Sequence, residues 1–148
     1  MLHYFAYGSN LSEQQMSERC PGSTLVCAGS LSNFRLGFTA YSSSWNGGVA
    51  DVIESHGDQV FGLLFSLTDE DLRELDRFEG YPRYYSRFVG QIKTASAEYD
   101  AWVYAVVTKR EFVVPRRQYL QIIKDAAKLH HFPSDYVQML EGVEVISR

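Results

Sequence analysis

The chain has 148 residues, 45% of them hydrophobic and 22% charged, enough for one compact domain with a real core and too few for two comfortable ones. Its formal net charge is -4, and its basic residues are scattered apart from Lys109 with Arg110 and Arg116 with Arg117, which excludes a general polyanion binder and makes nucleic acid an unexpected partner. No stretch approaches the roughly 20 apolar residues of a membrane span, and no basic segment followed by a cleavable apolar one stands at the N-terminus. A single domain over 1–148, without a membrane partner and in the cytoplasm, is expected.

The first element is a strand, LHYFAYG, residues 2–8. A short helix follows over SEQQMSERC, residues 12–20, with Ser12 as N-cap, Glu13 in the first turn and Pro21-Gly22 as the stop. Four strands rich in Val, Phe, Ile and Leu are predicted next, over 23–31, 34–42, 48–55 and 59–67, separated by Gly, Ser, Asn and Asp turn signals. TDEDLRELDRFEG, residues 68–80, reads as a helix with Thr68 as N-cap, an apolar stripe of Leu72, Leu75 and Phe78, and Gly80 as the stop. Two more strands are predicted over 85–94 and 97–107. The last long helix is PRRQYLQIIKDAAKLHHF, residues 115–132, with Pro115 in its first turn and Tyr119, Ile122, Ile123 and Ala126 on one face. A short helix from Ser134 to about Leu140 closes the chain. So many short strands, several interrupted by Gly, favour a curled sheet or small barrel over a flat one, and no repeat or linker divides the chain.

Metal and redox chemistry find little support in the pattern. Cys20 and Cys27, seven positions apart without a His pair at ligand spacing, are read as ordinary thiols. His130 and His131 are adjacent, so on a helix they point to different faces and do not act as an i, i+4 ligand pair; a cationic helix end is the reading they favour. No metal or organic cofactor is expected.

Two short segments carry candidate chemistry. Gly8-Ser9-Asn10 lies between a strand and a helix, where free backbone donors and a helix N-terminus together favour a small anion such as a carboxylate or phosphate. Neither GxxxxGK[ST] nor GxGxxG is present, so it is not a phosphate loop. A capped strand-to-helix turn is the equal alternative. Ser9 lacks the surroundings of a nucleophile elbow. The second segment is LDRFEGYPRYY, in which Glu79 ends a helix among aromatic residues. The negative end of the helix dipole and loss of solvent both disfavour its ionised form and push its pKa upward, as a general acid/base requires. The alternative is a surface Glu paired with Arg77 or Arg83. Asp76, three residues earlier, shares part of that face, with a salt bridge to Arg73 or Arg77 as the expected fate.

YFAYGSNL at the N-terminus, WNGGVADV and GDQVFGLLFSLTDEDLRELDRFEGYP in the middle and PRRQYLQII near the end, in this order, resemble the γ-glutamylcyclotransferase family, including its AIG2-like branch. YGSN followed some seventy positions later by LDxxEG is far more specific as a pair than either piece. The resemblance implies an α+β fold, a small mixed β-barrel flanked by a few helices. It implies an enzyme acting on small γ-glutamyl molecules without a cofactor. Carried over by residue, it places the substrate along Tyr4, Phe5, Ala6, Tyr7, Gly8 and Ser9, with Asn10 supporting the turn, makes Glu79 the acid/base, and turns the Tyr119 hydroxyl to the pocket. Tyr104 is a further candidate for the cavity wall.

The implied reaction is attack by the α-amine of a γ-glutamyl amide on its own γ-carbonyl, releasing 5-oxoproline and an amine. The substrate carries the nucleophile, so the protein has to fold the chain back and move protons. YFAYGSNL resembles the enzymes acting on γ-glutamyl amino acids and FEGYPRYYSR the γ-glutamylamine branch, so the leaving group is an amino acid, an amine or a lysine side chain. Its pocket is expected in the loops 42–48 and 81–87. A small-carboxylate binding module without catalysis, and γ-glutamyl transfer or deprotection in a biosynthetic sequence, remain alternatives.

Overall fold

A computed structural model describes residues 2–146 of the chain. The described residues form five strands and four α-helices: β1 (Leu2–Ala6), α1 (Glu13–Arg19), β2 (Thr24–Ser42), β3 (Gly47–Leu67), α2 (Asp69–Glu79), β4 (Tyr85–Lys93), β5 (Glu98–Val106), α3 (Arg117–Leu129) and α4 (Ser134–Glu141). The strands close into a barrel in the order β1, β3, β2, β4, β5. β1 pairs antiparallel with β3, from Leu2↔Leu67 to Ala6↔Leu63, and parallel with β5 at Tyr4↔Trp102. That parallel contact makes the barrel mixed, and it sets the end of β1 beside the strand that carries Tyr104.

The four strands expected over 23–67 are two long ones of 19 and 21 residues. Ser32-Asn33 and His56-Gly57-Asp58 read as turns, but they mark a bulge. Pairing runs Ser32↔Gln59 and then Phe34↔Glu54, so residues 55–58 are extruded while the strands continue. Asn33 and Gly57 take positive φ values of 67° and 87° there, and the Gly57 N–H donates to Asn33 Oδ1 at 3.1 Å. Further register shifts fall between Leu25 and Cys27 and between Phe38 and Ala40. Each adds bend and twist, which lets strands this long curl into a wall instead of lying flat.

Helices α1 and α2 follow the expected signals, whereas α3 begins at Arg117 with Arg116 as its N-cap, so Pro115 precedes the helix instead of standing in its first turn. Ser12 caps α1 by accepting the Gln15 N–H at 3.2 Å. Thr68 and Asp71 form a reciprocal capping box at the start of α2. Along α3 the buried stripe is Tyr119, Leu120, Ile123, Ala126 and Ala127, while Ile122 is only half-buried, so the stripe is shifted from the expected face. The core fills the barrel and the seam beneath α3, with Phe5, Leu63, Leu64, Val103, Leu120 and Ile123 essentially without exposure. His130 at the end of α3 brings Nε2 to 3.3 Å from the Glu13 carboxylate. No helix among the described residues is long and apolar enough to cross a membrane.

Candidate active site

Between β1 and α1 the chain makes a tight 3-10 turn, Ser9–Leu11, closed by Leu11 N–H to the Gly8 carbonyl at 3.0 Å. Side chains of α1 hold this turn from behind. Gln15 Nε2 donates to both Ser9 Oγ and Asn10 Oδ1 at 2.9 Å, Arg19 Nη1 donates to Asn10 Oδ1 at 3.2 Å, and Asn10 Nδ2 donates to the Tyr4 hydroxyl at 2.9 Å. Asn10 is therefore a buried strut between strand, turn and helix. A side chain at residue 8 would place its Cβ 3.0 Å from the Tyr119 hydroxyl and 3.2 Å from the Ala50 Cβ, so the close approach of α3 and β3 calls for glycine.

Opposite the turn stands the end of α2. Gly80 adopts the left-handed conformation, φ 67° and ψ 34°, and the Tyr81 N–H reaches back to the Asp76 carbonyl at 2.9 Å. This C-terminal wrap stops the helix one residue after Glu79 and fixes the direction of that side chain. Glu79 lines a small, partly open pocket of about 100 Å³. Tyr4, Tyr7, Tyr85, Tyr104, Tyr119 and Trp45 surround it. Gly8, Ser9 and Asn10 form one side of the same pocket, Ser42 comes from the end of β2 and Ser44 from the loop between β2 and β3.

The electrostatics of Glu79 differ from those of a surface carboxylate. Burial pushes its pKa from 4.5 up to about 7, and Arg19 opposes that rise. Neither Arg77 nor Arg83 pairs with it: Arg77 binds Glu74 at 2.6 Å, and no salt bridge to Glu79 occurs among the described residues. Burial also raises the pKa values of Tyr4, Tyr7, Tyr85, Tyr104 and Tyr119, so these phenols stay neutral hydroxyls at ordinary pH. The Tyr119 hydroxyl accepts the Ala50 N–H at 2.8 Å and also bonds the Ser9 main chain. With its oxygen accepting from the main chain, its own O–H remains available as a donor. Tyr85 donates to the Ala50 carbonyl at 2.8 Å, and Tyr7 donates to the Tyr104 carbonyl at 2.6 Å.

Of the residues named from sequence, Tyr4, Tyr7, Gly8, Ser9, Asn10, Glu79, Tyr104 and Tyr119 converge on this one pocket. Phe5 and Ala6 do not line it. Side chains alternate along a strand, so Phe5 points away from Tyr4 into the barrel wall, and the Ala6 methyl is wholly enclosed. Asp76 also departs from expectation. It pairs with neither Arg73 nor Arg77 but takes both arms of Arg87, at 2.8 and 3.0 Å, and the Tyr104 hydroxyl at 2.7 Å. Arg87 in turn lies over the Tyr81 and Trp102 rings, 4.4 and 4.3 Å from their centroids. Sequence reading missed Arg19, which lines the pocket from the last turn of α1. The signal was present: the Ser12 cap and the inward Met16 put residue 19, one turn on, beside the pocket-facing side of that helix.

The sequence profile described as "Gamma-glutamyl cyclotransferase, AIG2-like" matches residues 4–124, a span that includes both the turn and Glu79. The chain belongs to this family. It is 32% identical over 147 residues to the γ-glutamylcyclotransferase of Homo sapiens, covering 95% of this chain and 78% of that protein. The γ-glutamylcyclotransferase of Mus musculus is 30% identical with the same coverage. A solved structure of a γ-glutamyl cyclotransferase superposes with a TM-score of 0.91 at 29% identity, over 99% of this chain and 90% of that one. The closed mixed barrel with flanking helices is thus the γ-glutamyl cyclotransferase fold.

Proposed function

We propose that this member of the γ-glutamyl cyclotransferase family is a cyclotransferase that converts a γ-glutamyl amide into 5-oxoproline and a free amine, with Glu79 as its general acid/base. The observation that carries this reading is the placement of one carboxyl group with its pKa raised to about 7 in a small pocket, facing a turn of main-chain donors. The two halves of the pocket suit the two halves of the reaction. The turn at Gly8–Asn10 receives the γ-glutamyl end and holds its carboxylate, so the α-amine folds back within reach of the γ-carbonyl.

Attack forms the bond from the α-nitrogen to the γ-carbon and, on collapse, breaks the amide bond to the leaving nitrogen. One proton must leave the attacking amine and one must reach the departing nitrogen. A carboxyl with a pKa near 7 accepts the first and donates the second, because neither form is strongly disfavoured at neutral pH. The Tyr119 O–H and main-chain donors of the turn are placed to stabilise charge on the carbonyl oxygen. The surrounding phenols exclude bulk water, which favours cyclisation over hydrolysis. The partner is a small γ-glutamyl molecule and the expected compartment the cytoplasm.

The reading is tested by 5-oxoproline release from γ-glutamyl amino acids and γ-glutamylamines. Glu79→Gln is expected to lower kcat/KM by roughly 100- to 10,000-fold, the usual weight of a positioned acid/base, while leaving the fold intact. Activity within a few-fold of wild type in Glu79→Gln would remove Glu79 from the mechanism.

A further inference from the structure

Arg19 is the one cation that lines the pocket among the described residues. Its exposure is intermediate, and its only hydrogen-bond acceptor found there is the neutral Asn10 side chain, at 3.2 Å. Its guanidinium lies over the Phe78 ring, 4.5 Å from the centroid. Two cations elsewhere in the structure are neutralised at close range: Arg87 by Asp76 at 2.8 Å and Lys109 by Asp51 at 2.7 Å. No carboxylate lies within ion-pair distance of Arg19 among the described residues. A guanidinium has five N–H donors, so most of its hydrogen-bonding capacity is left for whatever enters the pocket, where its charge also acts on Glu79.

The position of Arg19 tells which part of a substrate it meets. Phe78 is 44% exposed, so the guanidinium stacked on it sits at the mouth, whereas the inner wall of Tyr4, Tyr7, Val49 and Ala50 is under a tenth exposed. Phe78 also directly precedes Glu79. A scissile nitrogen within hydrogen-bond reach of Glu79 has its α-carboxylate, in an amino-acid leaving group, only two bonds away. That carboxylate would lie beside Glu79 and be repelled by it, unless a cation stands at the same place.

We propose that Arg19 is a specificity-determining residue that binds the carboxylate of an amino-acid leaving group, so that γ-glutamyl amino acids are preferred over γ-glutamylamines. This rests on the cyclotransferase reading and narrows its substrate class. A γ-glutamylamine brings no anion and leaves the guanidinium unpaired, whereas a γ-glutamyl amino acid completes a charge-assisted pair.

The experiment compares γ-glutamyl-alanine with γ-glutamyl-ethylamine, which differ in this carboxylate. Affinities are measured by calorimetry in a Glu79→Gln background, with and without Arg19→Gln, and kcat/KM is measured with Glu79 in place. Arg19→Gln should lower the alanine-to-ethylamine ratio about tenfold or more in both measurements, as expected for the loss of a hydrogen bond between two charged groups. Arg19→Met, which replaces the guanidinium by an uncharged apolar chain, should lower it equally, and Arg19→Lys should recover part of it. A ratio that stays the same, or an equal loss for both ligands, overturns the assignment. Absence of 5-oxoproline from the wild-type protein would count against the cyclotransferase reading, while the affinity ratio would still decide the role of Arg19. Failure of both ligands to bind in the Glu79→Gln background overturns the assignment of Arg19 as well.

Discussion

Glu79 closes a helix, faces a ring of neutral phenols and has a single cation, Arg19, acting on it from α1. Its burial therefore favours the protonated form, and two pH dependences follow. A base has to be ionised to accept the proton of the attacking amine, so kcat/KM should rise with pH along an acidic limb centred at about 7. The limb should vanish from whatever residual rate Glu79→Gln retains. The second concerns stability. The folded pKa lies above the ordinary carboxyl value, so between about 4.5 and 7 the folded state binds more protons than the unfolded chain, and stability falls as pH rises through that window. Glu79→Gln should accordingly melt at a higher temperature than wild type at pH 8, with a much smaller difference at pH 4. A wild-type advantage at pH 8 would show that the carboxylate is stabilised in place, contrary to this account. Gly8 makes a different kind of prediction. A Cβ at this position meets the Tyr119 hydroxyl at 3.0 Å, so Gly8→Ala should push the turn from α3 and raise KM while the melting temperature stays close to that of wild type.

The ends of helix α2 were legible in the sequence, because the signals that bound it are local, but of its expected apolar stripe only Leu75 is buried and Phe78 is 44% exposed. Thr68 and Asp71 cap its start, Gly80 ends it in the left-handed region, and Leu75 marks its buried side. What a linear reading could not supply was its tie to the barrel. The partners of Asp76 are Arg87 on β4 and Tyr104 on β5, 11 and 28 positions away, whereas the expected partners Arg73 and Arg77 were merely the nearest cations in sequence. Asp76→Ala leaves a buried phenol and a half-buried guanidinium without their acceptor, at a cost on the order of 2 kcal/mol. The same change frees the last turn of α2, so the loss in kcat should exceed what the fall in stability explains; chemical denaturation and steady-state kinetics on one variant separate the two effects. At Gly80 any other residue must enter the left-handed region, which costs about 1 kcal/mol for alanine. The long strands β2 and β3 show the opposite limit. Their turn-like dipeptides were read as breaks because a bulge and a turn use the same residue types, and only pairing with a partner strand distinguishes them.

Across the whole molecule, two distant stretches of chain meet at one pocket because the barrel closes. β1 is joined to β3 on one side and β5 on the other, which brings the turn at Gly8–Asn10 opposite the end of α2 and under Tyr119 of α3. The family motifs made this meeting legible, since YGSN and LDxxEG are strong as a pair. The aromatic wall was legible only in part, because strand alternation sends Phe5 away from the cavity and Tyr4 into it. A buried carboxyl group on β3, next to the pocket-lining Ala50, was not anticipated at all. Asp51 has no exposure and gathers the Val52 and Val106 N–H groups, the Thr39 hydroxyl and Lys109, linking β2, β3 and β5 with the segment that leads to α3. Asp51→Ala strands these donors and a cation, with an expected loss of about 3 kcal/mol or more in the denaturation midpoint analysis.

The central claim is that one carboxyl group, Glu79, moves the protons of an intramolecular cyclisation. The most direct measurement is 5-oxoproline formation from a γ-glutamyl amino acid by wild type and Glu79→Gln at pH 7 to 8, with ligand binding by the variant checked in parallel. The account predicts rapid release by wild type and almost none by a variant that still binds. Release by the variant at a rate close to wild type, or binding by wild type with no release from any γ-glutamyl amide, would contradict it.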